Sequence, residues 1–409
     1  MAVDSATLAT ASGILKEVYQ PGIVSQINIP NAFWAEIEKK TKDIIEGKYA
    51  VIALRMGLSQ AIGARGELGI LPTAQRTLVV QAKIPLKFLY GVIRASGPLL
   101  ESAQSDRASF IRAMRSESEG IVDAMKLDLQ RMLYGNGSGL QTATGITVAS
   151  TTIVLNAEAN MLYFEIGALV DIRTMSTGAL VANGASREVI GKDDVNKTIT
   201  LDAAGGVVTT SVLEGIYRAG NLNNELNGLS NIVDDTLALH GVDPATAGYE
   251  RWKSRVNSSM GSLTLAKLQQ EIDYTHDRSG EWVNFLYSNG DVRSLYLNIL
   301  TATRQFWSQE STKQLNGGFK GLAYTGGGEE AAWVKDPFAP AKTIYGLNMK
   351  HLFLDRLRDF EFVEVGGTTW LPDIYGASAV DAYKAVLAMY GEIICDKRNA
   401  HFKALGVIA

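Results

Sequence analysis

Between Glu101 and Gly139 the sequence ESAQSDRASFIRAMRSESEGIVDAMKLDLQRMLYGNGSG contains no proline, and glycines crowd its end. This stretch constrains the chain most, because it reads as one long amphipathic helix. Ser102 or Ser105 can cap its start with Asp106 in the first turn, and Gly135, Gly137 and Gly139 stop it. Phe110, Met114, Ile121, Met125, Leu129 and Met132 recur at helical steps and form a single apolar stripe. At 1.5 Å per residue the helix is roughly 45 Å long, more a structural beam than a small core helix. A long helix in a large enzyme has the same pattern, so the stretch alone leaves both readings open.

With 409 residues the chain can form two or three domains around a sizeable core. No apolar run is long enough to cross a bilayer, which predicts no membrane partner. The opening MAVDSATLATASGILKEVY has neither the basic nor the apolar segment of a signal peptide. One cysteine, Cys395, excludes an intrachain disulfide framework and suits a reducing compartment. The net charge of −4 argues against a basic surface dedicated to nucleic acid and leaves weak DNA contact open.

Taken in order, residues 1–47 read as an N-terminal arm, poor in packing residues to Gln20 and then broken by Pro21 and Pro30. Asn31 can cap a short helix over Phe33–Ile45 that lies on another part of the molecule. In residues 48–96, KYAVIALRM and RTLVVQAKIPLKFLYGVIRASG are strand-like and flank the glycine-rich GLSQAIGARGELGILPTAQ. The pattern predicts a projecting β-hairpin whose partners lie on neighbouring subunits; two core strands with an intervening loop are the alternative. The second strand spans roughly 60 Å if extended, with bends at Pro85 and Gly91.

After the long helix, which with its flanks fills residues 97–150, residues 151–222 carry short strands at close spacing: TTIVLN, ALVDIRT, SREVIG, KTITLD and GIYRAG. They predict a small β-barrel or sandwich inserted into the main fold, with Asp193 and Asp194 in a solvated turn and not in a calcium loop. Residues 223–350 return to mixed α/β character. A helix carries Leu265, Leu268 and Ile272, and NFLYSNGDVRSLYLNIL gives a strand, a turn at Asn289-Gly290 and a helix over Asp291–Ile299. In residues 351–409, FEFVEV is a strand, Ala382–Met389 is a short helix or strand, and YGEIICDKRNAHFKALGVI ends the chain.

No motif supplies an active site. GNGSG at Gly135–Gly139 follows a helix and lacks a Gly-Lys-Ser/Thr, so it reads as a helix stop and not a phosphate loop. Gly326–Glu330 reads as a loop tip. His240, His276, His351 and His401 show no zinc spacing and read as surface or locally bonded residues, and Cys395 in IIC reads as a small buried hydrophobe. No catalytic, cofactor-binding or metal-binding residue is assigned, and no cofactor is expected.

The order of elements carries more than any motif. A polar arm, a hairpin around ARGELGILPTAQ, the strand KIPLKFLYGVIRASG, the long helix ending LYGNGSG, a mixed α/β region and a last strand pair through GEIICDKRNAHFKALGVI resemble the major capsid proteins of tailed bacteriophages with the Hong Kong 97 fold. The resemblance covers essentially the whole chain, with 151–222 as an added β-rich insertion domain. It implies an α+β subunit: 48–96 as the extended β-hairpin loop, Gln104–Tyr134 as the spine helix of a peripheral domain (97–150 and 351–409), and 223–350 as the axial domain. It further implies a non-enzymatic shell protein that forms hexamers and pentamers, an icosahedral virion capsid assembled in the host bacterial cytoplasm. Its partners would be a separate scaffolding protein, portal and decoration proteins, and double-stranded DNA held by weak non-specific contact.

On this mapping Arg65, Glu67, Arg76, Lys83 and Lys87 are candidate intersubunit contacts, with plain solvated charges as the alternative. The apolar stripe of the spine packs on the subunit's own sheet, and Arg112, Arg115, Glu119 and Lys126 face the shell interior or a neighbour. No room for a cleaved helical scaffolding segment is seen before Gly47, and no local motif supports lysine–asparagine cross-links. An encapsulin-like nanocompartment shell and a soluble α/β enzyme are the alternatives.

Overall fold

The computed structural model describes residues 32–38, 49–96, 107–302, 322–325, 330–366, 368–373 and 381–409. The expectations for 1–31, for 39–48, for the caps at Ser102–Asp106 and for Gly326–Glu329 lie outside these residues, as do those for the side chains of Phe110, Arg112, Met114 and Arg115.

The first described element is the helix Ala32–Glu38 (α1), which buries Phe33, Trp34 and Ile37. Tyr49–Gly57 (β1) and Leu78–Pro85 (β2) then pair antiparallel, from Tyr49 opposite Pro85 to Gly57 opposite Leu78. The predicted second strand is two strands, because proline cannot donate to a ladder. The hairpin ends at Pro85, and Lys87–Ser96 (β3) enters a different sheet. There β3 alternates, burying Leu89, Gly91, Ile93 and Ala95 and exposing the residues between them.

Arg107–Tyr134 (α2) is the long helix. It lies on the buried face of β3, so closely that a Cβ at Gly91 would sit 3.0 Å from Ile121 Cγ1. Of its predicted stripe, Met125, Leu129 and Met132 are buried and Ile121 is partly so, whereas Glu117 and Glu119 are exposed. Its last turns are buried on every side, Gln130 and Arg131 included. Gly135 N–H bonds Met132 O at 2.9 Å and Gly137 takes φ +79, so GNGSG is the helix stop expected.

The chain next builds a β body from Leu140–Ala143 (β4), Thr147–Ser150 (β5), Thr152–Val154 (β6), Leu169–Thr174 (β7), Arg187–Asp193 (β8), Thr198–Leu201 (β9), Val208–Thr210 (β10) and Glu214–Arg218 (β11). Six strands run in the order β4-β11-β7-β8-β9-β6, and a Thr144–Leu155 bridge brings the two ends together as a small barrel. Ile153, Phe164, Val170, Ile172, Val189, Ile199 and Ile216 fill it. The expected polar turn is there: Asp193 Oδ1 accepts from Val195 N (2.8 Å) and Asn196 N (3.1 Å).

Leu229–Ile232 (α3), Arg255–Asn257 (β12), Gly261–Ser262 (β13), Leu265–Ser279 (α4), Phe285–Ser288 (β14), Gly290–Ala302 (α5), Leu322–Thr325 (β15), Glu330–Lys335 (β16) and Ile344–Leu347 (β17) follow. Thr264 caps α4 by accepting from Lys267 N at 3.2 Å, Gly280 ends it at φ +72, and Leu268 and Ile272 pack inward. Leu352–Phe362 (β18), Leu371–Pro372 (β19) and Ala382–Cys395 (β20) make the last antiparallel ladder, which β3 joins on the other edge of β20. Ala382–Met389 is therefore strand, and its apolar run becomes buried on both faces at Leu387–Met389. Phe402–Ala404 (β21) returns to the sheet β12-β21-β17-β14-β16-β15, and Val407–Ile408 (β22) pairs with β13. The chain end thus locks the mixed α/β region.

Candidate assembly interface

The base of the hairpin belongs to the core. Leu54, Met56 and Ala82 join the main cluster, and Ile84 packs with Phe353 and Ile394. Lys83 N donates to His240 O at 2.9 Å, which pins β2 to the Leu239–Val242 turn.

Beyond Gly57 the character reverses. Leu58–Thr77 forms no regular strand or helix, and it holds itself together locally. Arg65 Nε donates to Ile70 O (2.8 Å), Gly69 N to Gly66 O (2.9 Å) and Ser59 Oγ to Gln75 O (2.8 Å). Ile62 is 78% exposed, Leu68 102%, Ile70 90% and Leu71 81%. Burying an aliphatic side chain is worth about 1.5–3 kcal/mol, so four such residues in water on one loop leave apolar surface that the subunit's own described residues do not bury.

Of the five candidate contacts, Arg65, Glu67, Arg76 and Lys83 lie exposed on the hairpin, and Arg65 is engaged with its own loop. Lys87 lies elsewhere. It is half-buried at the start of β3 and donates to Asn223 O at 2.7 Å. It borders a cavity of about 590 Å³ where β3, the long helix and the end of the β body meet.

That junction holds a charge cluster with no local sequence signal. Arg131, buried on α2, meets Asp128 at 2.9 Å and grips Glu225 with both terminal nitrogens. Arg218 reaches Asp128 at 3.2 Å, and Asn221 Nδ2 donates to Glu225 Oε1 at 2.8 Å. Burial alone would raise the Asp128 carboxyl, but Arg131 and Arg218 outweigh it and hold it below the usual range. Tyr134 Oη donates to Asp336 at 2.8 Å and Tyr163 Oη to Phe338 O at 2.7 Å, so the end of the helix and the β body are both tied to the mixed α/β region.

Glu392 is fully buried on β20 and accepts from Asn227 N (2.9 Å) and Asn227 Nδ2 (3.0 Å). Burial pushes its carboxyl up to about 7 despite those bonds and the charge of Lys87. The histidines are locally bonded or packed. His351 is held between Asp396 (2.6 Å) and Glu281 (2.7 Å), and His276 stacks on Trp282 at 3.7 Å. His401 accepts from Asn348 N at 3.1 Å, and burial pushes its imidazole, like that of His240, down to about 3. Cys395 is buried, with its thiol pushed up to about 12 by that burial.

Hairpin, long helix under a terminal antiparallel sheet, and mixed α/β region together form the fold of phage-capsid subunits. Two of the solved structures that share it show the extent of the likeness. The capsid asymmetric unit of cyanophage A-1(L) matches at a TM-score of 0.60 and 12% identity, over 98% of this chain and 99% of that one. The capsid of the native GTA particle, computed with C5 symmetry, matches at 0.52 and 10% identity, over 99% and 100%. No family model matches the chain, and no curated protein does.

Proposed function

We propose that the chain is a major capsid protein, which self-assembles into hexamers and pentamers and closes an icosahedral shell around phage double-stranded DNA. The observation that carries this reading is the hairpin: a base built into the core and a tip that leaves Ile62, Leu68, Ile70 and Leu71 in water, on a chain with the capsid-subunit fold. A monomer gains nothing from such a tip. In a shell each tip lies on the adjacent subunit, and symmetry repeats that modest contact over the whole particle.

In this reading the β1–β2 hairpin of 48–96 is the extended loop, and β3 stays with the long helix, which is the spine. The β body, which starts at β4 and so before residue 151, is an insertion, and 223–350 is the axial domain. Arg65, Glu67, Arg76 and Lys83 supply contacts around the tip, and Lys87 supplies one beside the spine. The protein is structural and not enzymatic. It is assembled in the bacterial cytoplasm with a separate scaffolding protein, portal and decoration proteins, and DNA contacts stay weak and non-specific. Co-expression with neighbouring phage genes, followed by nuclease treatment of purified particles, tests the function. Protected DNA is expected inside; particles holding only cargo protein would point to a nanocompartment instead.

A further inference from the structure

A groove of about 640 Å³ runs between β1 and the turns at Glu250–Trp252 and Asp396–Asn399. Its lining includes five basic side chains, Arg55, Arg251, Arg278, Lys397 and Arg398, against one acidic one, Asp396. Two of these charges are already matched: Lys397 pairs with Glu281, and Asp396 with His351.

The others are not. Arg55 and Arg251 are exposed and form no ion pair among the described residues. Arg398 is fully buried, yet its guanidinium bonds only to backbone oxygens, at Asn231 (2.5 Å), Leu237 (2.7 Å) and Ile232 (2.8 Å). Trp252, 3% exposed on the same wall, has an indole N–H with no acceptor among the described residues. Arg398 is thus satisfied inside the wall, and it is the two exposed cations, Arg55 and Arg251, that leave the groove short of an anionic partner.

The backbone narrows the choice of ligand. Ile52–Met56, five consecutive residues, line the groove, and among the described residues β1 has a single ladder partner, β2. A strand paired on one edge keeps alternating N–H and C=O groups on the other, which complements an extended polypeptide and not a phosphate backbone. The rest of the chain supplies the matching charge. The net is −4, the groove contributes +4 from five bases and one acid, and the remainder is −8.

We infer that this groove receives an extended, carboxylate-bearing segment of a second copy of the chain, with Arg55 and Arg251 as its ionic anchors. The inference rests on the self-assembly reading and adds a contact separate from the apolar hairpin tip. It follows that association through the groove strengthens as salt is lowered.

The test compares full-length wild type with Arg55→Glu/Arg251→Glu and Arg55→Lys/Arg251→Lys in sedimentation velocity from 50 to 500 mM NaCl. Unfolding temperature serves as the control, since both residues are exposed. The expected result is an association constant at least tenfold lower for the glutamate variant at low salt, a smaller loss for the lysine variant, and the same unfolding temperature for all three. Equal association of wild type and the glutamate variant would overturn the groove while leaving self-assembly intact. A wild type that stays monomeric at every salt would overturn both. If the glutamate variant instead loses only the retention of a short DNA duplex, the ligand is a phosphate chain and the second-copy assignment is wrong.

Discussion

Arg131 is charged, almost fully buried and paired at once with Asp128 and Glu225; without it Asp128 would keep Arg218, and Glu225 would lose its cation and keep the amide of Asn221. Replacing it by methionine keeps the volume and leaves the buried Glu225 carboxylate without a cation and Asp128 with Arg218 alone. Arg131→Met is therefore expected to lose about 3–5 kcal/mol in chemical denaturation, and adding Glu225→Leu is expected to restore part of that. Glu392 gives the pH-dependent counterpart. Its folded pKa, about 7, lies above the ordinary carboxylate value of 4.5, so the folded state binds the proton more tightly. Stability from this group is full below pH 4.5 and is lost as pH rises toward 7. Stability of Glu392→Gln relative to wild type is expected to rise across that window and level off above it, on top of a constant offset from the altered Asn227 bond. A difference that does not change with pH would show that Glu392 titrates normally. Neither residue stands out in the sequence, because Arg131 meets Glu225 only once the chain has passed through the whole β body.

At the scale of elements, local pattern was enough wherever an element answers to its own neighbours. The long helix, its glycine stop, the hairpin base and the turn at Asp193 follow from periodicity and turn chemistry. Pairings between distant segments were not legible: β3 lies against β20, and β21 leaves the last strands to join the sheet of β14 and β17. Alternation gives a strand's faces but not its partner. The aliphatics at the tip are visible as letters, and only folding shows that none of the described residues covers them. Ile70→Asp/Leu71→Asp should thus leave the unfolding temperature nearly unchanged and weaken association, read by sedimentation; a large drop in stability would mean that the tip packs within its own subunit. The junction behind the long helix behaves oppositely. A Cβ at Gly228 would lie 2.2 Å from Met132 O and 2.5 Å from Leu133 O, so the turn before α3 must move if a side chain is added. Gly228→Ala is expected to cost about 3 kcal/mol or more, or to prevent folding, as judged by soluble yield and thermal unfolding.

Over the whole molecule the tightly built parts converge on one place. The end of the long helix, the β body, the mixed α/β region and the terminal sheet meet around Arg131, Tyr134, Gly228 and Glu392, while the apolar tip and the basic groove open outward. A rigid centre with unsatisfied surfaces at its margins suits a subunit whose stability comes partly from its neighbours. Cryo-electron microscopy of the purified full-length protein, alone and with a co-expressed scaffolding protein, tests this account most directly. The expected result is hexamers, pentamers or closed icosahedral particles in which each hairpin tip buries Leu68, Ile70 and Leu71 on an adjacent subunit. Uniform monomers under every condition, or shells whose tips remain in solvent, would contradict it.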